Sequence, residues 1–141
     1  MRESINLGVG ALGGVIGWLF GNPDSFFYAL IAFMFVDYFS GVIAAGVKKE
    51  LSSDIGYSGI MKKLCIFMIV AVANVVDTSI INAGGAIRNA AIFFYLSNEG
   101  ISILENVVAI GLPVPEKLKI ILKQIGSEDN GDKEKSNNTE F

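Results

Sequence analysis

The chain has no histidine and only one cysteine, Cys65, in 141 residues. A disulfide framework within one chain, a His/Cys zinc site and a histidine-based catalytic pair are thereby excluded. Charge is also scarce: 18% of residues are Asp, Glu, Lys or Arg, against about 25% in an average soluble domain. There is no basic excess, since 11 Lys and Arg face 14 Asp and Glu, for a net charge of -3 and a pI near 4.9. Nucleic acid and anionic lipid, which select clustered basic surfaces, are therefore poor candidates for the main partner. No nucleophile–base pair is visible, and Gly8-Val9-Gly10 lies in an apolar run rather than after a strand, so there is no phosphate loop. Neither an enzyme nor a bound cofactor or metal is expected, and Cys65 reads as a small apolar packing residue at the start of a helix.

What remains is apolar: 52% hydrophobic residues and a mean hydropathy of +0.52. The chain reads as one small, all-α, polytopic membrane domain over residues 1–126, with three to four spanning helices. The clearest span runs from Phe26 to Val47, 22 residues, or about 33 Å of helix against a hydrocarbon core of roughly 30 Å. Near its middle sits Asp37. An ionised Asp at a helix centre costs on the order of 2.5 to 3.5 kcal/mol on insertion scales, so it is expected to face other helices, water or a partner. At 100° per residue, Ser40, Gly41, Ala44 and Lys48 share its side.

Before it, residues 5–20 form a shorter segment, about 24 Å of helix. Met1-Arg2 resembles the start of a secretory leader, but Glu3 and the poor cleavage site around Gly17 to Gly21 argue that the segment is retained. Gly10/Gly14, Gly13/Gly17 and Gly17/Gly21 make three overlapping GxxxG pairs, the spacing that lets helix backbones approach in lipid. Asn22-Pro23-Asp24 is a turn. The linker from residue 48 to 63 carries Lys48, Lys49, Lys62 and Lys63, which by the positive-inside rule places it in the cytoplasm. Residues 64–81 then return as a further span, again with an acid, Asp77, with Asn74 on the same side and Arg88 available as a partner.

Residues 88–112 are harder to place, because Arg88, Asn98, Glu99, Glu105 and Asn106 normally disqualify a span. On a helical projection, however, these residues and Ser102 fall within an arc of roughly 120°, opposite an apolar surface. The stripe has three readings: it lines water, it packs on the acids of other helices, or it lies in the interface plane. Pro113 and Pro115 end this helix. Residues 116–125 then show apolar positions Leu118, Ile121, Leu122 and Ile125, the pattern of an amphipathic helix along the cytoplasmic leaflet. Residues 127–141 are charged and apolar-poor, a disordered cytoplasmic tail.

Asp37-Tyr38-Phe39-Ser40-Gly41 in a span, the lysine linker, Asp77 in the next span, and the blocks Asn98 to Asn106 and Gly111 to Leu118 together resemble the toxin-secretion and phage-lysis holin family. The resemblance covers roughly residues 26–125, and the acid-rich tail departs from the basic tails common in that family. It implies a multi-pass protein of the bacterial cytoplasmic membrane that forms a homo-oligomer and opens a hole for an endolysin or a large toxin. On that reading Arg88, Asn98, Glu99, Ser102, Glu105 and Asn106 are candidates to line the hole or the contacts between subunits. Asp37 and Asp77 are intramembrane acids at helix contacts, and Gly10, Gly13, Gly14, Gly17, Gly21 and Gly41 are packing positions. The alternative is a non-permeabilising membrane interaction protein, such as a holin antagonist or an assembly factor.

Overall fold

A computed structural model describes residues 1–127. These are 85% helical with no strand, in the order α1 (Arg2–Phe20), α2 (Ser25–Val47), α3 (Ser53–Val75), α4 (Ala86–Ile110) and α5 (Glu116–Ser127). Apart from Ser127, the expected tail lies outside the described residues. α1, α2 and the continuous helix Ser53–Ile81 are long and apolar enough to cross a membrane.

Local chemistry fixes the starts of the helices. The Asp24 carboxylate accepts the Phe27 N–H at 2.9 Å to cap α2, and the Ser52 hydroxyl accepts the Ile55 N–H at 3.3 Å to cap α3. α3 thus begins eleven residues before the expected start at 64, and Lys62 and Lys63 are helical rather than part of a linker. Its last turn loosens into a π-helix, Val76–Ile81, where the Thr78 hydroxyl donates to the Asn74 carbonyl at 2.8 Å. Cys65 is exposed within α3, on apolar surface facing outward, rather than a packing residue.

α4 organises the bundle, packing on α2, α3 and α5. Phe26 meets Phe93 with ring centroids 4.8 Å apart, Phe33 meets Gly100, and Asp37 meets Asn106, so α2 and α4 run parallel in a nearly constant register. α3 runs antiparallel against this pair: Tyr38 meets Gly59, Asp37 meets Lys63, and Phe27 meets Phe67. The interior is a cluster of Leu30, Met34, Ile66, Val70 and Ile92, with Phe20, Phe27, Phe67, Tyr95 and Leu96 packed around it. Outside this cluster large apolar side chains such as Phe35, Phe39, Ile43, Met68 and Val72 are exposed, as expected of helices bathed in lipid.

α5 folds back against α4. A Cβ built on Gly100 would lie 2.8 Å from Leu122 Cδ2 and 3.2 Å from Phe33 Cε2, so the absence of a side chain is what admits Leu122. The Ser97 hydroxyl donates to the Leu122 carbonyl. Leu118, Ile120 and Ile121 stay exposed. The helix therefore stands against α4 rather than lying flat along a leaflet, as its apolar spacing suggested, because the gap at Gly100 draws Leu122 to the level of Glu99 and Asp37.

α1 differs from the rest. None of its residues is buried, and it touches α3 only near its C-terminal end, which Gly21 closes at φ 75° and ψ -174°, a conformation open essentially to glycine alone.

Candidate functional site

Polar side chains that are costly in a membrane are gathered in two clusters, one at the α1–α2 turn and one midway along α2. At the turn, Asp77 is fully buried and caps α4 from a distance. Its Oδ1 accepts the Gly85 N–H at 2.8 Å, and its Oδ2 accepts the N–H groups of Ile87 at 2.7 Å and Arg88 at 3.1 Å. These are the N–H groups a helix start leaves without intrahelical partners, at the positive end of its dipole.

The Arg88 side chain therefore does not pair with Asp77, as the sequence suggested. It turns to the other side, donating from Nη1 to Asp24 at 2.8 Å, from Nε to the Phe20 carbonyl at 2.7 Å and from Nη2 to the Asn22 carbonyl at 3.3 Å. Its guanidinium also stands 5.7 Å from the centroid of the Phe27 ring. Asn74 Nδ2 donates to the carbonyls of Trp18 and Leu19 at 3.0 and 3.1 Å. Arg88 and Asn74 thus satisfy the carbonyls left over at the end of α1. Partial burial pushes the Asp24 carboxyl up, but the Arg88 hydrogen bond and charge and the Phe27 N–H outweigh it and hold the group below its ordinary 3.8.

The second cluster is built from three helices. Lys63 Nζ lies 2.7 Å from Asp37 Oδ2 and 2.6 Å from Glu99 Oε2. On the far side of Asp37, Asn106 Nδ2 donates to Asp37 Oδ1 at 3.1 Å, to the Asp37 carbonyl at 3.3 Å and to the Ser40 hydroxyl at 2.9 Å. Gly41 lies beside the amide, and a Cβ there would make ordinary van der Waals contact with Asn106 Nδ2 at 3.5 Å. The side chains of Asp37, Lys63 and Glu99 are only 17%, 16% and 9% exposed. In surroundings of low polarity such charges require mutual pairing.

Beside this triad opens a cleft of about 650 Å³, lined by Tyr38, Gly41, Asp54, Lys62, Ser102 and Glu105 together with the triad itself and Asn106. The cleft extends to the first turn of α3 and so toward the Glu50–Ser52 connection. The stripe expected on α4 is therefore divided. Arg88 belongs to the turn cluster. Glu99 and Asn106 pack on the acid of another helix, Ser102 and Glu105 line the cleft, and Asn98 is exposed outside it.

Of the glycines, Gly21 is enclosed by Asn74 and Arg88, whereas Gly10, Gly13, Gly14 and Gly17 have nothing within 4 Å. Lys63, the centre of the triad, escaped the reading by composition, which treated every lysine as a boundary mark. The signal was there. Lys63, Ile66, Val70, Asn74 and Asp77 all fall within about 60° of one helical direction, so extending the helix back through Lys63 places its ammonium on the inward face.

Comparison with known proteins gives the chain its relatives. The family model described as the bacteriophage holin family matches residues 14–127. An uncharacterized protein of Listeria monocytogenes is 42% identical over 135 residues, 96% of each chain. An uncharacterized protein of Clostridium perfringens is 44% identical over 126 residues, 89% of this chain and 93% of that one. A protein of Bacillus phage phi105 named "probable holin" is 35% identical over 118 residues, 84% and 86% of the two chains. No solved structure matches. With the helical, multi-pass architecture, these matches establish that the chain belongs to the bacteriophage holin family, whose members permeabilise membranes and are not enzymes.

Proposed function

We propose that the chain self-associates in the bacterial cytoplasmic membrane, with its C-terminus inside, and opens a lesion through which an endolysin or a large toxin leaves the cell. The observation that carries this reading is the polar cleft of about 650 Å³ set against the middle of α2 in a bundle otherwise sheathed in apolar side chains. A hole needs surfaces that can become wet and helices that can change partners. The cleft-facing part of α4, from Glu99 to Asn106, supplies the first. α1, with no buried residue and glycine spacing suited to close helix contact, supplies the second. α5 folds back along α4 to the depth of Gly100, where Leu122 holds it, and its exposed Leu118 and Ile121 offer an apolar surface to lipid or to a second subunit.

The test is induction in a bacterial host that co-expresses an endolysin. Growth stops abruptly and the endolysin reaches the cell wall. A saturating membrane level that leaves permeability unchanged overturns the proposal in favour of a non-permeabilising interaction protein.

A further inference from the structure

The triad on α2, α3 and α4 does not balance. Asp37 and Glu99 bring two carboxylates to a single ammonium, that of Lys63. Both acids contact the same nitrogen, so their facing oxygens are no farther apart than the two contacts laid end to end. Two ionised carboxylates held that close, away from bulk water, repel strongly, and such pairs are stable when they share a proton. The position along the helix sharpens the problem. Asp37 lies 12 residues after Ser25 and 10 before Val47, roughly 18 Å and 15 Å of helix from either end, which is the middle of the span.

The surroundings do not supply the missing positive charge. The cleft wall adds Tyr38 from α2, Asp54 and Lys62 from α3, and Glu105 from α4. Asp54 and Lys62 offset one another, and Glu105 is a further acid. No residue of α1 or α5 lines the cleft among the described residues. Asn106 donates to Asp37 but carries no charge.

We infer that this site binds one proton, held between the Asp37 and Glu99 carboxyls beside the Lys63 ammonium, so that a proton is one of the ligands joining α2, α3 and α4. The proton enters from water in the cleft, on the side of the Glu50–Ser52 connection, and returns there when the pH rises. Only an O–H bond forms and breaks. With the proton the triad is neutral and the three helices pack. Without it an unbalanced negative charge sits mid-span and favours separation of α3 from α2 and α4, which frees Asn106 and Glu99 to face the cleft or a second subunit.

The inference rests on α2, α3 and α4 lying in the membrane and not on the opening of a lesion, so its test reads the proton directly. The full chain is reconstituted in vesicles of phosphatidylethanolamine and phosphatidylglycerol, and the carbonyl stretch of protonated carboxyls is followed by infrared spectroscopy. The wild type shows this band at neutral pH and loses it at alkaline pH. Asp37→Asn and Glu99→Gln each abolish it, because the remaining acid then pairs one to one with Lys63. Lys63→Met doubles it, since both acids must be neutral, and Glu105→Gln leaves it in place. Absence of the band from the wild type at neutral pH, its survival in both single-acid variants, or an unchanged intensity in Lys63→Met overturns the inference. A chain that shows the expected bands yet leaves the vesicles tight would count against the lesion and leave the proton site standing.

Discussion

Asp77 and Asp37 are both carboxylates on apolar helices, and the bundle treats them in opposite ways. Asp77 binds backbone: three N–H groups at the start of α4 converge on it. Asp37 binds mainly side chains, Lys63 and Asn106, and through Lys63 it meets a second acid. A group held by backbone has partners that exist only while the local fold exists. Side-chain partners are different, because an equivalent lysine or asparagine from another subunit offers the same contact. The turn cluster is thus a fixed joint and the mid-span cluster an exchangeable one, which is the division a protein that folds first and assembles later requires.

The largest expected effect strikes the fixed joint. Asp77→Ala leaves three N–H groups without an acceptor, one buried and two partly buried, and at about 1–3 kcal/mol per unsatisfied group the loss is on the order of 4 kcal/mol. Thermal unfolding in detergent, followed by circular dichroism, reads it; a small loss would mean that the joint is not backbone-borne. Lys63→Met comes next, at roughly 3 kcal/mol for breaking a buried ion cluster. The triple variant Lys63→Met, Asp37→Asn, Glu99→Gln should recover most of that in the same measurement, since neutral replacement of a whole buried cluster is often close to free. Failure to recover would make the mid-span cluster as fixed as the turn.

A smaller effect separates α5 from both. Gly100→Ala brings a methyl against Leu122 and Phe33, costs about 1–2 kcal/mol and loosens α5, which limited proteolysis of the α4–α5 connection detects. Leu122→Ala in the same chain relieves it.

The smallest effect is the pH dependence of the turn. The folded-state pKa of Asp24 is depressed, so its contribution is full above the ordinary value of 3.8 and is lost as pH falls below it. Because the Asp24 side chain is 40% exposed, solvent screens the pair, and the acid-induced change in α1 proteolysis should be slight. A marked change already near neutral pH would show that another group governs the turn.

The sequence carried the apolar spans well because lipid demands long uninterrupted runs. α2 was legible to within one residue, and the small polar face around Asp37, Ser40 and Gly41 is the face that receives Asn106. α3 was truncated because Lys62 and Lys63 look like a water boundary; only the acids of two other helices make Lys63 an interior residue. The partner of Arg88 was misread for a related reason. Asp77 is close in sequence, but its lone pairs are already committed to backbone, and Asp24 is brought in by the turn. The Gly100–Leu122 contact had no sequence signal beyond a glycine in mid-helix, since nothing local shows which side chain will fill the gap.

The parallel register of α2 and α4 has an electrical consequence. Each helix carries a dipole equivalent to about half a charge at either end. Two of the three dipoles of α2, α3 and α4 point one way, so the positive ends of α2 and α4 meet at the turn, and there the Asp24 and Asp77 carboxylates accept the N–H groups of those same ends. A full negative charge outweighs a helix end of about half a charge. The turn therefore keeps no positive pole, and a membrane potential acts on the side-chain charges of the bundle rather than on its helices.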